Sequence, residues 1–174
     1  MKQIKDYKRT IPDFPEKGIM FRDVTTILQD ADGFGLAIDD LQSALEGIDF
    51  DLIAGIDSRG FIFGAPIAYN LGKPFIPIRK KGKLPYKTIE QSYALEYGSA
   101  TIEMHEDAVA PGQRVVIIDD LIATGGSMKA ATTRVEKLGG KVVKILFLIE
   151  LPDLGGRKAL EGYDIYSSAQ FEGE

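Results

Sequence analysis

Short apolar runs alternate along this chain with stretches of helical spacing. Val115-Val116-Ile117-Ile118 is an unbroken β-branched run that ends on two adjacent acids, Asp119 and Asp120. Such a run predicts a strand buried on both faces of a parallel sheet. Asp51 to Ile56, Phe75 to Ile78 and Val142 to Ile149 repeat the pattern. Pro77 lies inside the second of these, which points to an edge strand or a bulge. Between the runs, apolar residues recur every three or four positions. Phe34, Ile38, Leu41 and Leu45 mark one helix, within Ala31 to Leu45. Phe61, Ala65, Ala68 and Leu71 mark a second, ending at Gly72. Met128, Ala131, Val135 and Leu138 mark a third, ending at Gly139-Gly140. A short helix over Ile4 to Arg9 precedes an extended Ile11 to Pro15, where two prolines oppose helix. This order predicts an α/β fold with a doubly wound, mostly parallel sheet.

The alternation breaks between Lys80 and Pro111. Gln91 to Tyr97 and Ala100 to His105 read as a hairpin, turning near Tyr97-Gly98-Ser99. Routine connections run about 4–6 residues, so this β-rich insertion is either a flap over a site or a structural extension of the sheet. Asp153 to Glu174 carries the weakest pattern of the chain.

A length of 174 residues fits one domain, and a hydrophobic content of 44% supports a full core. The chain has no cysteine, which excludes a disulfide framework and thiolate metal sites. No apolar run approaches the ~18 residues of a membrane span, and Met1 to Arg9 lacks the apolar region of a secretory signal. A cytoplasmic protein without a membrane partner is expected. The net charge of −5 argues against general nucleic-acid binding, which needs a basic surface.

Ligands of open α/β sheets bind beyond the carboxyl ends of the strands. Thr124-Gly125-Gly126-Ser127 follows the acidic pair at such an end, just before a helix. Its N–H groups suit a phosphate, and its glycines let the backbone approach one closely. It is no Walker loop, for no lysine precedes Ser127. A tight turn with Ser127 as N-cap is compatible with the same residues. Asp119 and Asp120 repel phosphate and suit hydroxyls or a cation; side chains of neighbouring strand residues diverge. The segment therefore predicts a phosphate beside a diol, as in a ribose 5-phosphate. Arg79-Lys80-Lys81-Gly82-Lys83 and Arg59, in Asp57-Ser58-Arg59-Gly60, fall at the same sheet edge. A surface charge run is the usual meaning of such a cluster; here it suits a polyphosphate. His105 has no partner among these motifs and is expected at the surface.

Asp119 to Ser127 resembles the phosphoribosyl pyrophosphate (PRPP) signature of the type I phosphoribosyltransferases. Ala123-Thr124-Gly125-Gly126 is similar to their adenine branch. Phe14 to Asp23, Ala54 to Phe61, Arg79 to Pro85 and Ser92 to Gly98 also resemble that family, in family order, so the likeness runs from about Pro12 to Leu151. Ile122 and Ser127 depart conservatively from the common Leu and Thr. The resemblance implies a single Rossmann-like domain over 1–174, with hood and flap elements at about 1–30 and 80–111. It implies transfer of a phosphoribosyl group from PRPP, bound with Mg²⁺, to adenine, giving AMP and pyrophosphate. By the same resemblance Ala123, Thr124, Gly125, Gly126 and Ser127 hold the 5′-phosphate. Asp119 and Asp120 hold the ribose hydroxyls. Asp57, Ser58, Arg59 and Lys83 hold the pyrophosphate, with Mg²⁺ held mainly by PRPP and not by a direct protein ligand. Phe21 and Leu121 sandwich adenine, backbone groups of Met20 and Arg22 read its edge, Glu96 at the flap tip handles the proton, and Tyr97 beside it binds PRPP. A homodimer is expected. Rival readings are a PRPP-sensing repressor, which adds an N-terminal DNA-binding domain not expected before Ile11, and an enzyme for another base such as xanthine.

Overall fold

The computed structural model describes residues 1–95 and 98–172. Its centre is a seven-stranded sheet. β1 (Arg9–Pro12) and β2 (Met20–Asp23) form a separate antiparallel pair between α1 (Ile4–Tyr7) and α2 (Thr25–Leu28). After α3 (Ala31–Ser43) come β3 (Leu52–Ile56), α4 (Arg59–Leu71) and β4 (Phe75–Lys80). β5 (Thr88–Ala94) and β6 (Ser99–His105) form the hairpin. β7 (Arg114–Ile122), α5 (Gly126–Lys137), β8 (Lys141–Glu150), α6 (Gly156–Ala159) and β9 (Ile165–Gln170) complete the chain. The order across the sheet is β5-β6-β4-β3-β7-β8-β9. β4, β3, β7, β8 and β9 are parallel, and β6 joins β4 antiparallel. The α/β, mostly parallel architecture expected from the sequence is present, and the small antiparallel pair fits a hood. No helix among the described residues is long and apolar enough to cross a membrane.

The apolar runs are buried on both sides. Val116 and Ile118 of β7 join Ile53 and the helical residues Leu41, Phe63 and Ile67 in one core cluster. Val115 and Ile117 join Leu52, Ala54, Met128 and Val135 in the other. Adjacent residues of one strand thus feed opposite cores, with α3 and α4 on one face and α5 on the other.

Several expectations are corrected. β7 does not stop at Ile118 but runs to Ile122, so both acids lie within the strand. The stripe of α4 is Phe63, Gly64, Ile67 and Ala68, while Ala65 is exposed. The first helix ends at Tyr7, because Arg9 to Pro12 pairs with Met20 to Asp23. β9 forms in the weakly patterned tail, where β8 supplies its ladder. Pro77 sits in an interior strand, yet the edge expectation has a local basis. The Ile53 and Asp57 N–H groups bond to the carbonyls of Pro74 and Ile78, so even-numbered residues of β4 face β3. Pro77 faces the other side, where β6 pairs only with Arg79 and Lys80. Its missing donor therefore costs no ladder bond.

Candidate functional site

The loop after β7 sits under the Tyr93 to Leu95 end of the hairpin, where β5 leads into its turn. Leu121 to Met128 lines one side of a cleft of about 620 Å³, and Tyr93 to Leu95 lines the other. Gly125, not Ser127, is the helix cap; it lies in the left-handed region at φ 85°, and Ser127 falls in the first turn. A side chain on Gly125 would meet the Gly156 carbonyl at 2.9 Å, and one on Gly126 would meet the Tyr93 ring at 3.3 Å. Glycine thus lets the loop bed on α6 below and the hairpin lie close above. The N–H groups at the start of a twelve-residue helix open onto this cleft, an arrangement that favours an anion.

Asp119 and Asp120 separate as neighbouring strand residues must. Asp120, buried, is ion-paired with the Arg59 guanidinium at the start of α4. Asp119 lies beside the backbone of Gly60, where an added Cβ would stand 2.8 Å from the Ile118 carbonyl and 3.4 Å from Asp119 Oδ1. Glycine at 60 therefore brings the N-terminus of α4 against the acids. Burial pushes the Asp119 carboxyl well above its ordinary range, and the Asp120 charge adds to the effect. Leu121 rejoins the core face of Val116 and Ile118, so the in–out alternation changes phase across the acidic pair.

Asp57 and Ser58 are joined by a cis peptide between β3 and α4. The buried Asp57 carboxylate accepts from Arg79 Nε at 3.4 Å and lies 3.7 Å from Lys83 Nζ. The basic run therefore divides. Arg79 and Lys83 turn toward Asp57, whereas Lys81 pairs with Glu90 on the hairpin at 3.1 Å. Arg59 is partly desolvated, which pulls its proton affinity down; Asp120, Asp119 and Asp23 more than offset this and hold it charged. Asp23, at the end of β2, thus brings the small sheet within electrostatic reach of Arg59. Thr25 and Arg9 hold its carboxyl at about 2.

Met20, Phe21 and Arg22 lie on β2, outside the lining of the cleft that contains Leu121. Phe21 is half-buried and stacks edge-on with Phe14 at 5.1 Å. Arg22 donates to Thr10 Oγ1. Glu96 and Tyr97 lie outside the described residues, between Leu95 and Gly98. His105 is half-buried at the far end of β6 against Tyr86, away from the cleft.

Sequence reasoning missed three contributors. Tyr93 faces Gly126 and feels the charge of Asp119, which with burial raises its phenol. Its place in Ser92 to Gly98 was visible, but not its orientation. Gly156 backs the loop: an added Cβ would lie 2.6 Å from the Ala123 carbonyl. Glu103 is buried beneath residues 82–84. The last two show no local signal, because their partners are distant in sequence.

The chain is similar to known proteins over most of its length. The family model described as phosphoribosyl transferase domain matches residues 26–168. The chain is 64% identical to the adenine phosphoribosyltransferase of Agathobacter rectalis, over 100% of both chains. It resembles the crystal structure of adenine phosphoribosyltransferase from Thermoanaerobacter pseudethanolicus at 56% identity and TM-score 0.93, covering 97% of this chain and 98% of that one. It also resembles the Saccharomyces cerevisiae enzyme, complexed with adenine and an imino-altritol bisphosphate. That match has 38% identity and TM-score 0.90, covering 95% of this chain and 96% of that one.

Proposed function

The chain belongs to the phosphoribosyl transferase family, among the adenine phosphoribosyltransferases, and from that premise we infer how its residues divide the work of making AMP and pyrophosphate from adenine and PRPP. The observation that carries the reading is the set of groups gathered beyond the carboxyl ends of β3 and β7, beside the cleft. A glycine-rich helix start, a split acidic pair and two cations converge at one sheet edge.

The N–H groups from Ala123 to Ser127 hold the 5′-phosphate. Asp119 and Asp120 accept from the ribose hydroxyls. Arg59, Lys83 and the Asp57–Ser58 backbone hold the pyrophosphate. Both cations are ion-paired with carboxylates, so PRPP competes with Asp120 and Asp57 for them. PRPP arrives as its Mg²⁺ complex; no group of three acids among the described residues could cage the ion, so PRPP would hold it, with Asp119 and Asp120 helping indirectly through its water shell. The metal supplies neutralisation of the leaving pyrophosphate. Adenine lies between Phe21 and Leu121, with backbone groups of Met20 and Arg22 at its edge. For these to meet, the small sheet and β7 must close on the base.

In the reaction a ring nitrogen of adenine bonds to C1 of the ribose, and the bond from C1 to the pyrophosphate oxygen breaks with its electron pair. Positive charge develops on the sugar, as in glycoside hydrolysis. Water must be kept away, and the hairpin bearing Tyr93 acts as the flap that does so. Glu96, which follows Leu95 in sequence, accepts the proton leaving adenine or hydrogen-bonds to the ring, and Tyr97 binds PRPP. One domain over 1–174, with the hood near 1–30 and the flap near 80–111, carries all of this in the cytoplasm. The chain acts as a homodimer, a reading supported by Ile62, Ala65, Pro66 and Tyr69, which form one stripe of α4 on which Tyr69 is 87% exposed.

The test is incubation with PRPP, Mg²⁺ and adenine, hypoxanthine, guanine or xanthine in turn, following nucleotide and pyrophosphate. AMP formed only with adenine and Mg²⁺ is the expected result; equal turnover of another base would overturn the specificity. Glu96→Gln is expected to cut turnover far more than PRPP affinity, and unchanged turnover removes Glu96 from proton transfer.

A further inference from the structure

Glu103 stands on β6 between two apolar neighbours, Ile102 and Met104, and is 3% exposed. In register it faces Arg79 of β4 on one side and Glu90 of β5 on the other. A carboxylate is an expensive choice for a buried sheet position, the more so opposite a like charge. A hydrophobic residue would serve the sheet better. The presence of Glu103 is explained by what it holds. Its Oε1 accepts from the N–H groups of Lys83 at 3.1 Å and Leu84 at 2.9 Å. Burial pushes the carboxyl up, but the N–H groups of Leu84, Gly82 and Lys83 and the Thr88 hydroxyl bring it below its ordinary range. It is therefore an ionised anchor around which the connection between β4 and β5 is folded.

That connection carries Lys83, whose ammonium lies 3.7 Å from Asp57, the residue that follows β3. Lysine is a flexible point charge on a long stem, so its reach depends on where its backbone is fixed. Glu103 grips the backbone N–H of that same residue.

We propose that Glu103 is a positioning residue for the pyrophosphate half of the site: from beneath the sheet edge it fixes the backbone of residues 82–84, so that the Lys83 ammonium stands at Asp57 ready for the leaving group. It touches no substrate and acts through Lys83. The inference rests on the pyrophosphate role read for Lys83 above.

The test is a double-mutant cycle on the full-length protein, with PRPP affinity and steady-state kinetics measured for the parent, Glu103→Gln, Lys83→Ala and the double variant. Glutamine keeps the shape and can still offer its amide oxygen to both N–H groups, but it removes the charge that strengthens those bonds. PRPP binding is expected to weaken about tenfold in Glu103→Gln, the scale of one charge-assisted hydrogen bond. KM for adenine and kcat at saturating PRPP should change less than about twofold, a split that general loosening would not produce. In the Lys83→Ala background the same substitution should cost less than about twofold, because residues acting as one unit are not additive. Amide exchange at Lys83 and Leu84 should also quicken in Glu103→Gln. A tenfold loss in both backgrounds would show that Glu103 acts without Lys83 and would overturn the proposal. So would unchanged PRPP affinity in Glu103→Gln. If Lys83→Ala alone leaves PRPP affinity unchanged, the pyrophosphate role of Lys83 fails, and the proposal fails with it. Should Glu103→Gln not fold, Glu103→Asp, which keeps the charge and shortens the reach, is put through the same cycle with the same criteria.

Discussion

Replacing Arg157 by methionine probes the support beneath the phosphate loop. Glu150, at the end of β8, is buried and accepts from Arg157 Nε at 2.7 Å and Nη2 at 3.0 Å. It also accepts from Ser167 Oγ at 2.5 Å and Gln170 Nε2 at 3.1 Å. Methionine keeps most of the stem and removes both guanidinium bonds. Breaking a buried ion pair costs about 3–5 kcal/mol, because a charge is left without a partner. Here the Arg157 side chain is 46% exposed, so water can reach the gap, and two neutral donors remain; about 2–3 kcal/mol is expected. For a chain of this size 1 kcal/mol shifts Tm by about 2–4 °C, so Tm should fall by about 4–12 °C at pH 7. Burial pushes the Glu150 carboxyl up, and Arg157, Ser167 and Gln170 more than offset it. A lowered carboxyl stabilises the fold above its unfolded pKa, and that contribution is lost as pH falls through the folded value. The difference in Tm between parent and variant should therefore shrink as pH drops below about 4.5, the ordinary glutamate value. Calorimetry from pH 3.5 to 8 measures this. Adding Glu150→Gln to the variant should recover part of the loss, since no charge is then stranded. A Tm change under 1 °C at pH 7, or one that grows toward acid pH, would refute the reasoning.

Gly156→Ala puts a methyl 2.6 Å from both the Ala123 carbonyl and Ile122 Cγ1; overpacking of this kind costs about 1–3 kcal/mol, and KM for PRPP should rise about tenfold. A normal KM in titrations of PRPP would show that the loop does not depend on α6. Asp119→Asn keeps the oxygen that accepts from the Asp120 N–H at 2.8 Å and removes a desolvated charge. Because the Asp119 carboxyl is raised in the fold, its stabilising contribution is present below the unfolded value and is lost as pH climbs from there through the folded one. The variant should be more stable at pH 7 by on the order of 1 kcal/mol, with the gain vanishing in acid, while AMP formation falls about 10–100-fold. Loss of stability at neutral pH would contradict this assignment. Phe21→Ala should raise KM for adenine about 10–100-fold, the scale of one aromatic–base stack, and leave KM for PRPP within about twofold. Equal effects on both substrates would place Phe21 in the scaffold and not at the base.

The parallel strands and the loop after β7 were legible in the sequence because each is local. A run such as Val115 to Ile118 has nowhere to go but a doubly covered sheet, and Gly125-Gly126 beside two acids limits the ligand directly. Membership of the small sheet was not legible. Met20 to Asp23 is a strand because Arg9 to Pro12 lies beside it, and neither segment alternates strongly. The same holds for β9, whose pattern is weak and whose ladder comes from β8.

By itself the sequence determined the mostly parallel α/β core and the kind of ligand: a phosphate, a diol and a leaving polyphosphate, written in contiguous residues. Only the tertiary structure decided how those groups are held. It paired Arg59 with Asp120, turned Lys83 and not Lys81 toward Asp57, set Gly156 behind the loop and placed Glu103 under residues 82–84. The physical reason is range. Backbone pattern and glycine geometry act within a few residues, whereas desolvation and ion pairing depend on neighbours that meet only when the sheet assembles.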